Sequence, residues 1–153
     1  MNKVLRDKIR RAISGSIKKW DKIAINGGFD RRSHNCPLCG IFNRFPNQCQ
    51  IKVSNDTMNC PVVSFVEKTT STVIDPLNHA EGCYYTPYCK WLVHQQEHIE
   101  QYYKHKKMIK STHTIIPISC CEAMMACCPE CVELAIEERA FLEKVLEFFT
   151  KLG

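Results

Sequence analysis

Apolar residues recur at steps of three and four in three long stretches of the chain. The first stretch holds Leu5, Ile9, Ala12, Ile13, Ile17, Trp20, Ile23 and Ala24, with lysines and arginines on the other face. That period predicts a basic amphipathic helix over residues 1–26. Ser14-Gly15-Ser16 weakens its middle, and Gly27-Gly28 supplies a stop signal. A second helix is predicted over 86–110. Thr86 suits the N-cap, Pro87 the first helical position, and Tyr88, Trp91, Leu92, Gln95, Ile99, Tyr102 and Tyr103 the inward stripe. A third is predicted over 129–152 from Leu134, Phe141, Leu142, Val145, Phe148, Phe149 and Leu152. Glu130, Glu133, Glu137 and Glu138 crowd its start, where the helix dipole favours them.

Between the first two helices this regularity is lost. Residues 29–85 are rich in Gly, Asn, Ser, Pro and Asp, and only 61–66 and 69–74 look strand-like, which predicts a short β-hairpin near 61–74. A stretch of this length needs something other than an apolar core to hold it inside a compact domain. A bound metal ion can do so. The expected fold is therefore mainly α, with two or three amphipathic helices packed around a zinc-stabilised loop region over 29–91. At 153 residues the chain is expected to form a single domain spanning 1–153.

Cysteine content changes the picture most. There are eleven, an odd number, and the N-terminal stretch has charges every few residues and no apolar run of a secretory signal. Metal ligation and free thiols in the cytoplasm are the expectation, rather than a disulfide framework. No run of apolar residues is long enough to span a membrane, and Asn2 stands where myristoylation needs Gly. The net charge of +5 is uneven. Residues 1–35 carry ten Lys/Arg against three Asp, and residues 129–153 carry six Glu against three Lys/Arg. Three readings fit: solvated helix faces, a basic beginning and an acidic end that face each other in the fold, or a basic face meeting an anionic partner.

Cys36-Pro-Leu-Cys39 has the spacing of a metal-binding knuckle, in which two thiolates share one ion and accept backbone hydrogen bonds. A redox pair uses the same spacing, but it would follow a strand and open a helix, and this one lies in a loop rich in Gly, Asn, Ser and Arg. A zinc knuckle needs a second pair of ligands. Cys49, Cys60, Cys83 and Cys89 are the candidates.

The order of short motifs carries a resemblance. Trp20-Asp21-Lys22-Ile23, Asp30-Arg31, Asn35-Cys36-Pro-Leu-Cys39, Asn59-Cys60-Pro61-Val62, Gly82-Cys83, Thr86-Pro87-Tyr88 and Trp91 follow one another, and Ala140-Phe141-Leu142-Glu143 lies in the closing helix. This resembles a set of short, cysteine-rich, presumed zinc-binding proteins encoded by bacteriophages and by bacterial genomes with prophage content. The resemblance implies one zinc held by Cys36, Cys39, Cys60 and Cys83, with Cys49 as the alternative ligand. Two departures stand out. Thr57 occupies the place of one family cysteine, and the stretch between Cys60 and Cys83 is longer than usual. Four thiolates would close the site, leaving no position for a reactive water. The resemblance also implies a host-directed or gene-expression partner in the host cytoplasm.

A second group, Cys120, Cys121, Cys127, Cys128 and Cys131, precedes the third helix. Three readings are open: a second zinc site at Cys121, Cys127, Cys128 and Cys131, a redox pair at Cys128-Pro-Glu-Cys131, or inert packing. His94 and His98 stand one helical turn apart and can present two imidazoles to one ion, but their polar surroundings favour an exposed face. No phosphate-binding, dinucleotide-binding or nucleophile-elbow motif is present, and no catalytic residue is assigned. Lys18, Lys19, Arg31 and Arg32, near Phe29, form the best candidate nucleic-acid surface, though the pI of about 8.6 is below that of most such domains. The function expected from sequence is a non-enzymatic zinc-binding accessory protein with a protein partner. Nucleic-acid binding is the alternative, and thiol redox chemistry the third.

Overall fold

In a computed structural model, residues 1–25, 27–42, 49–75, 82–109 and 124–152 are described, the side chains of 99 and 101–109 excepted. Among them the chain is mainly helical. Helix α1 spans Lys3–Ile25, α2 Cys39–Phe42, α3 Pro61–Thr70, α4 Pro87–Ile109 and α5 Pro129–Lys151. The three long amphipathic helices begin and end within a few residues of where the periodicity and the Gly, Thr-Pro and Glu signals put them. Gly15 does not break α1, because α1's inner face is anchored on both sides by buried Ile9, Ala12, Ile13, Ser16 and Trp20.

Cross-helix contacts give the directions. Arg6 donates to the Thr150 carbonyl at 3.3 Å, and Arg139 pairs with Asp21 at 2.7 Å, so α1 runs antiparallel to α5. Lys90 meets Glu137 while His94 meets Glu130, so α4 is antiparallel to α5 as well. Trp20, Tyr88 and Trp91 join α1 to α4. The Trp20 ring stands edge-on to Trp91 at 5.2 Å and to Tyr88 at 5.7 Å, and Trp91 is fully buried.

Two small ribbons tie the loops down. Strand β1 (Phe29–Asp30) pairs antiparallel with β4 (Met124–Met125), fixing the exit of α1 beside the entry to α5. Strands β2 (Gln50–Val53) and β3 (Asp56–Asn59) form the hairpin, with Gln50 opposite Asn59 and Val53 opposite Asp56. The sequence placed a hairpin near 61–74, and there the structure has α3. Pro61 opens α3 at the first position, and Val62, Val63 and Val66 share one buried face at helical spacing. Phe65 packs edge-on against Phe141 and Phe148 of α5. Thr69 and Thr70 return their hydroxyls to the Phe65 and Val66 carbonyls, and Ser71 ends the helix in a left-handed conformation. Burial of one helical face outweighed the strand preference of β-branched residues.

Candidate metal centre

The closest grouping of ligand atoms among the described residues lies between α4 and the start of α5. His94 and His98 are four apart and share one face of α4, so their rings stack edge-on at 4.5 Å. Cys128 is the N-cap of α5, and Pro129 holds the first turn. The Cys131 backbone N–H donates to Cys128 Sγ at 3.4 Å, which folds the two thiols of the C-x-x-C onto one side. The antiparallel pairing of α4 with α5 brings both pairs to the same level. His94 Nε2 is 3.0 Å from His98 Nε2 and 3.2 Å from Cys128 Sγ. His98 Nε2 is 3.3 Å from Cys128 Sγ and 3.5 Å from Cys131 Sγ, and the two sulfurs are 3.5 Å apart. All four ligand atoms lie within 4.8 Å of one another and can hold one metal ion.

Neighbouring groups fix these ligands. His94 Nδ1 faces Glu97 at 3.6 Å and Glu130 at 3.7 Å, which orients the ring with Nε2 toward the centre. Buried Gln95 donates its amide to Cys131 Sγ at 3.3 Å and to the Met125 carbonyl at 3.0 Å. The Cys128 thiol is brought down to about 6, chiefly by its bond with His94 and then by the Cys131 amide. The same bond raises His94. Burial raises the Cys131 thiol to about 11. The site thus holds one ready thiolate and one that a cation must draw out.

This set differs from both expectations for its parts. His94 and His98 do not form an exposed face: the His94 side chain is 12 % exposed, because α5 covers it. Cys127, expected beside Cys128 and Cys131, is exposed and outside the four, with its sulfur 3.9 Å from Cys131 Sγ. Cys121, with Cys120, lies outside the described residues. The signal that sequence reasoning missed is the combination of His-x3-His with Cys-x2-Cys, each pair at ligand spacing and with 29 residues between the pairs.

The other cysteines gather elsewhere. Cys36, Cys39, Cys49, Cys60 and Cys83 line one cavity of about 350 Å³, beside Trp20, Tyr88 and Glu138. They arrive on three local devices. Asn35 accepts from the Arg31 amide and donates to the Phe29 carbonyl, holding the turn before the knuckle, and the Cys39 N–H points at Cys36 Sγ, 3.5 Å away. The β2–β3 hairpin puts Cys49 and Cys60 side by side at its base, where the Cys60 N–H donates to the Cys49 carbonyl at 2.7 Å. Cys83 stands just before the Thr86 cap of α4, whose hydroxyl donates to the Cys83 carbonyl. Cys89 is not on the cavity wall.

Electrostatics within this cavity favours one thiolate. Cys36 is lowered to about 6, first by its bond with the Cys39 side chain. Cys39 is raised, first by that same bond, and burial raises Cys49 to about 11 and also raises Cys60 and Cys83. Three buried side-chain atoms on the cavity wall have no partner: Ser16 Oγ, Arg32 Nε and Glu138 Oε2. Buried polar atoms are nearly always paired.

The candidate nucleic-acid residues separate in the fold. Lys19 ion-pairs inward with Asp30, which is fully buried and also bonds Tyr88 Oη and the Arg32 amide. Arg32 reaches the cavity wall, Arg31 stacks over Phe29 at 4.9 Å, and Lys18 is exposed. No helix among the described residues is long and apolar enough to cross a membrane. Compared with protein-family models, curated proteins and solved structures, the chain matches none.

Proposed function

We propose that the protein is a small zinc-binding accessory protein in which zinc is structural and the outer surface engages a macromolecular partner, most naturally another protein. The observation that carries this reading is the His94/His98/Cys128/Cys131 set. Zinc bonds of about 2.05 Å to nitrogen and about 2.3 Å to sulfur give a tetrahedron with N···N, N···S and S···S edges of about 3.3, 3.5 and 3.8 Å. The protein offers 3.0 Å between the nitrogens, 3.2, 3.3 and 3.5 Å for three of the four N···S edges and 3.5 Å between the sulfurs, with all four atoms within 4.8 Å of one another. Four protein ligands fill the coordination of zinc and leave no position for a metal-bound water, so the site supports architecture rather than hydrolysis. It pins the middle of α4 to the start of α5.

We assign a second ion to the thiol cavity, held by Cys36, Cys39, Cys60 and Cys83 with Cys49 as the alternative ligand. Five thiols from three segments on one cavity wall support this, as do the unpartnered polar atoms of three wall residues, although the sulfurs are not drawn together as the His94/His98/Cys128/Cys131 ligand atoms are. Arg32 beside it would offset part of the negative charge of four thiolates. A partner surface is available around Phe29 and Met125, exposed and opposite each other in the β1–β4 ribbon, and at exposed Tyr84 and Tyr85. A nucleic-acid surface would have to rest on Lys18 and Arg31, since Lys19 is neutralised by Asp30.

Native mass spectrometry of protein purified without chelator tests the metal reading. Two zinc ions per chain are expected. His94→Ala and Cys131→Ser should each lose one while Cys36→Ser and Cys83→Ser lose the other. A metal-free chain, or a count that His94→Ala leaves unchanged, would remove the His2Cys2 centre.

A further inference from the structure

We propose that Cys127 is a peroxide-sensitive modification site whose oxidation expels the ion from the His94/His98/Cys128/Cys131 centre; this rests on reading that centre as a metal site. Cys127 is the thiol of this region that the four-ligand set leaves out, and it is exposed to solvent. Its sulfur nevertheless lies 3.9 Å from Cys131 Sγ, about as close as the ligand sulfurs are to each other. The three neighbours differ in access. Cys131 is fully buried and Cys128 is engaged by both imidazoles, whereas Cys127 sits in the irregular 126–127 segment ahead of α5. A sulfur bound to zinc is shielded from oxidants by its bond, so the unligated outer thiol is the one that meets them first.

The oxidant is a hydroperoxide, hydrogen peroxide being the simplest. The Cys127 thiolate attacks one peroxide oxygen and the O–O bond breaks. Sulfur is oxidised by two electrons to the sulfenic acid, and the other oxygen leaves as hydroxide, which takes a proton to become water. Cys131 sulfur then gives up its bond to zinc and attacks the sulfenic sulfur. The S–S bond forms, the S–O bond breaks, and the departing hydroxide is protonated to a second water. Closing 3.9 Å to a disulfide length of about 2 Å needs movement that the irregular segment can supply and the α5 first turn cannot. The centre is left with His94, His98 and Cys128, an incomplete set for structural zinc. A dithiol reductant returns both thiols and with them the site.

The experiment uses the full chain loaded with zinc, whose stoichiometry is measured first. If wild type carries no zinc that Cys131→Ser loses, the metal-centre reading has failed and the oxidation question does not arise for it. With that zinc in place, hydrogen peroxide is added in the presence of a chromophoric chelator. Wild type is expected to release one equivalent at least about ten-fold faster than Cys127→Ser, the lower end of what perturbing a ligand's surroundings does to metal affinity. Cleavage after glutamates then yields residues 123–130 joined to 131–133 through a disulfide, absent from Cys127→Ser and reversed by dithiothreitol. Equal release from the two proteins, retention of zinc by oxidised wild type, or a Cys127 cross-link to any other cysteine would each overturn the proposal.

Discussion

The two thiol-bearing regions of this molecule solve the same problem in opposite ways. In the α4–α5 centre every ligand sits on or at the cap of a 23-residue helix, and the ligand atoms already lie within 4.8 Å of one another. In the cavity the thiols come from a knuckle, a hairpin base and a pre-helix turn, around about 350 Å³ of space. Helical spacing fixes the first set through backbone hydrogen bonds that owe nothing to an ion. The second set sits on a knuckle, a hairpin base and a turn, where no long helix fixes the ligand spacing, and there the ion is expected to set the geometry. Preorganisation is thus a property of the element carrying the ligand, and not of the cysteine motif.

The largest effects should come from breaking each site in turn. Structural zinc in small domains contributes about 10–16 kcal/mol of binding free energy near neutral pH, comparable with the whole stability of a domain, about 5–15 kcal/mol. Cys36→Ser and Cys83→Ser are expected to unfold the 29–85 region, seen as fast amide exchange there, while α1, α4 and α5 stay protected. Cys131→Ser should loosen the α4–α5 contact and leave the helices themselves formed. Identical exchange patterns from the two classes of variant would erase the distinction drawn between helix-borne and loop-borne ligands.

Next in size is the buried carboxyl beside the cavity. Burial is the main cause that raises Glu138 from 4.5 to about 8, with the Tyr88 amide and Thr86 hydroxyl working against it. The folded protein therefore holds this proton more tightly than the unfolded chain does. Its contribution to stability is complete below about pH 4.5, declines as pH rises, and is lost by about pH 8. Glu138→Gln cannot ionise, so between pH 5 and pH 9 denaturant unfolding should shift in its favour by a few kcal/mol, at about 1.4 kcal/mol per pKa unit. A difference between the two proteins that does not change with pH would show that Glu138 ionises freely in the folded state.

The smallest effect sharpens the comparison most cleanly. Gly82 precedes Cys83, and a methyl there would meet the stiff, buried Val63 side chain at 2.6 Å. Gly82→Ala should cost about 1–3 kcal/mol by overpacking and displace Cys83 from the cavity wall, with the His94/His98 pair unaffected. Thermal unfolding and imidazole resonances report the two halves of that statement separately.

Much of this organisation is legible in the residues. Three-and-four spacing gave the long helices, because a 23-residue stripe repeats its signal over six turns. The loop region was legible only as a lack of pattern, and within it 61–70 misled because Val-Val-Ser-Phe-Val satisfies a strand and a helical face equally well. The knuckle cysteines could be grouped by motif order. The α4–α5 centre could not, since its two pairs lie far apart in sequence and only the antiparallel packing of two helices brings them level. A polar tract such as His94–His98 looks solvent-facing until the neighbour that covers it is known.

X-ray absorption at the zinc edge, on the Cys36→Ser/Cys83→Ser protein, tests the central claim most directly. With the cavity site disabled, the remaining zinc should show a mixed shell of two nitrogens near 2.05 Å and two sulfurs near 2.3 Å, roughly the distances of a His2Cys2 site. A shell of sulfur alone, or no zinc at all, would contradict the account.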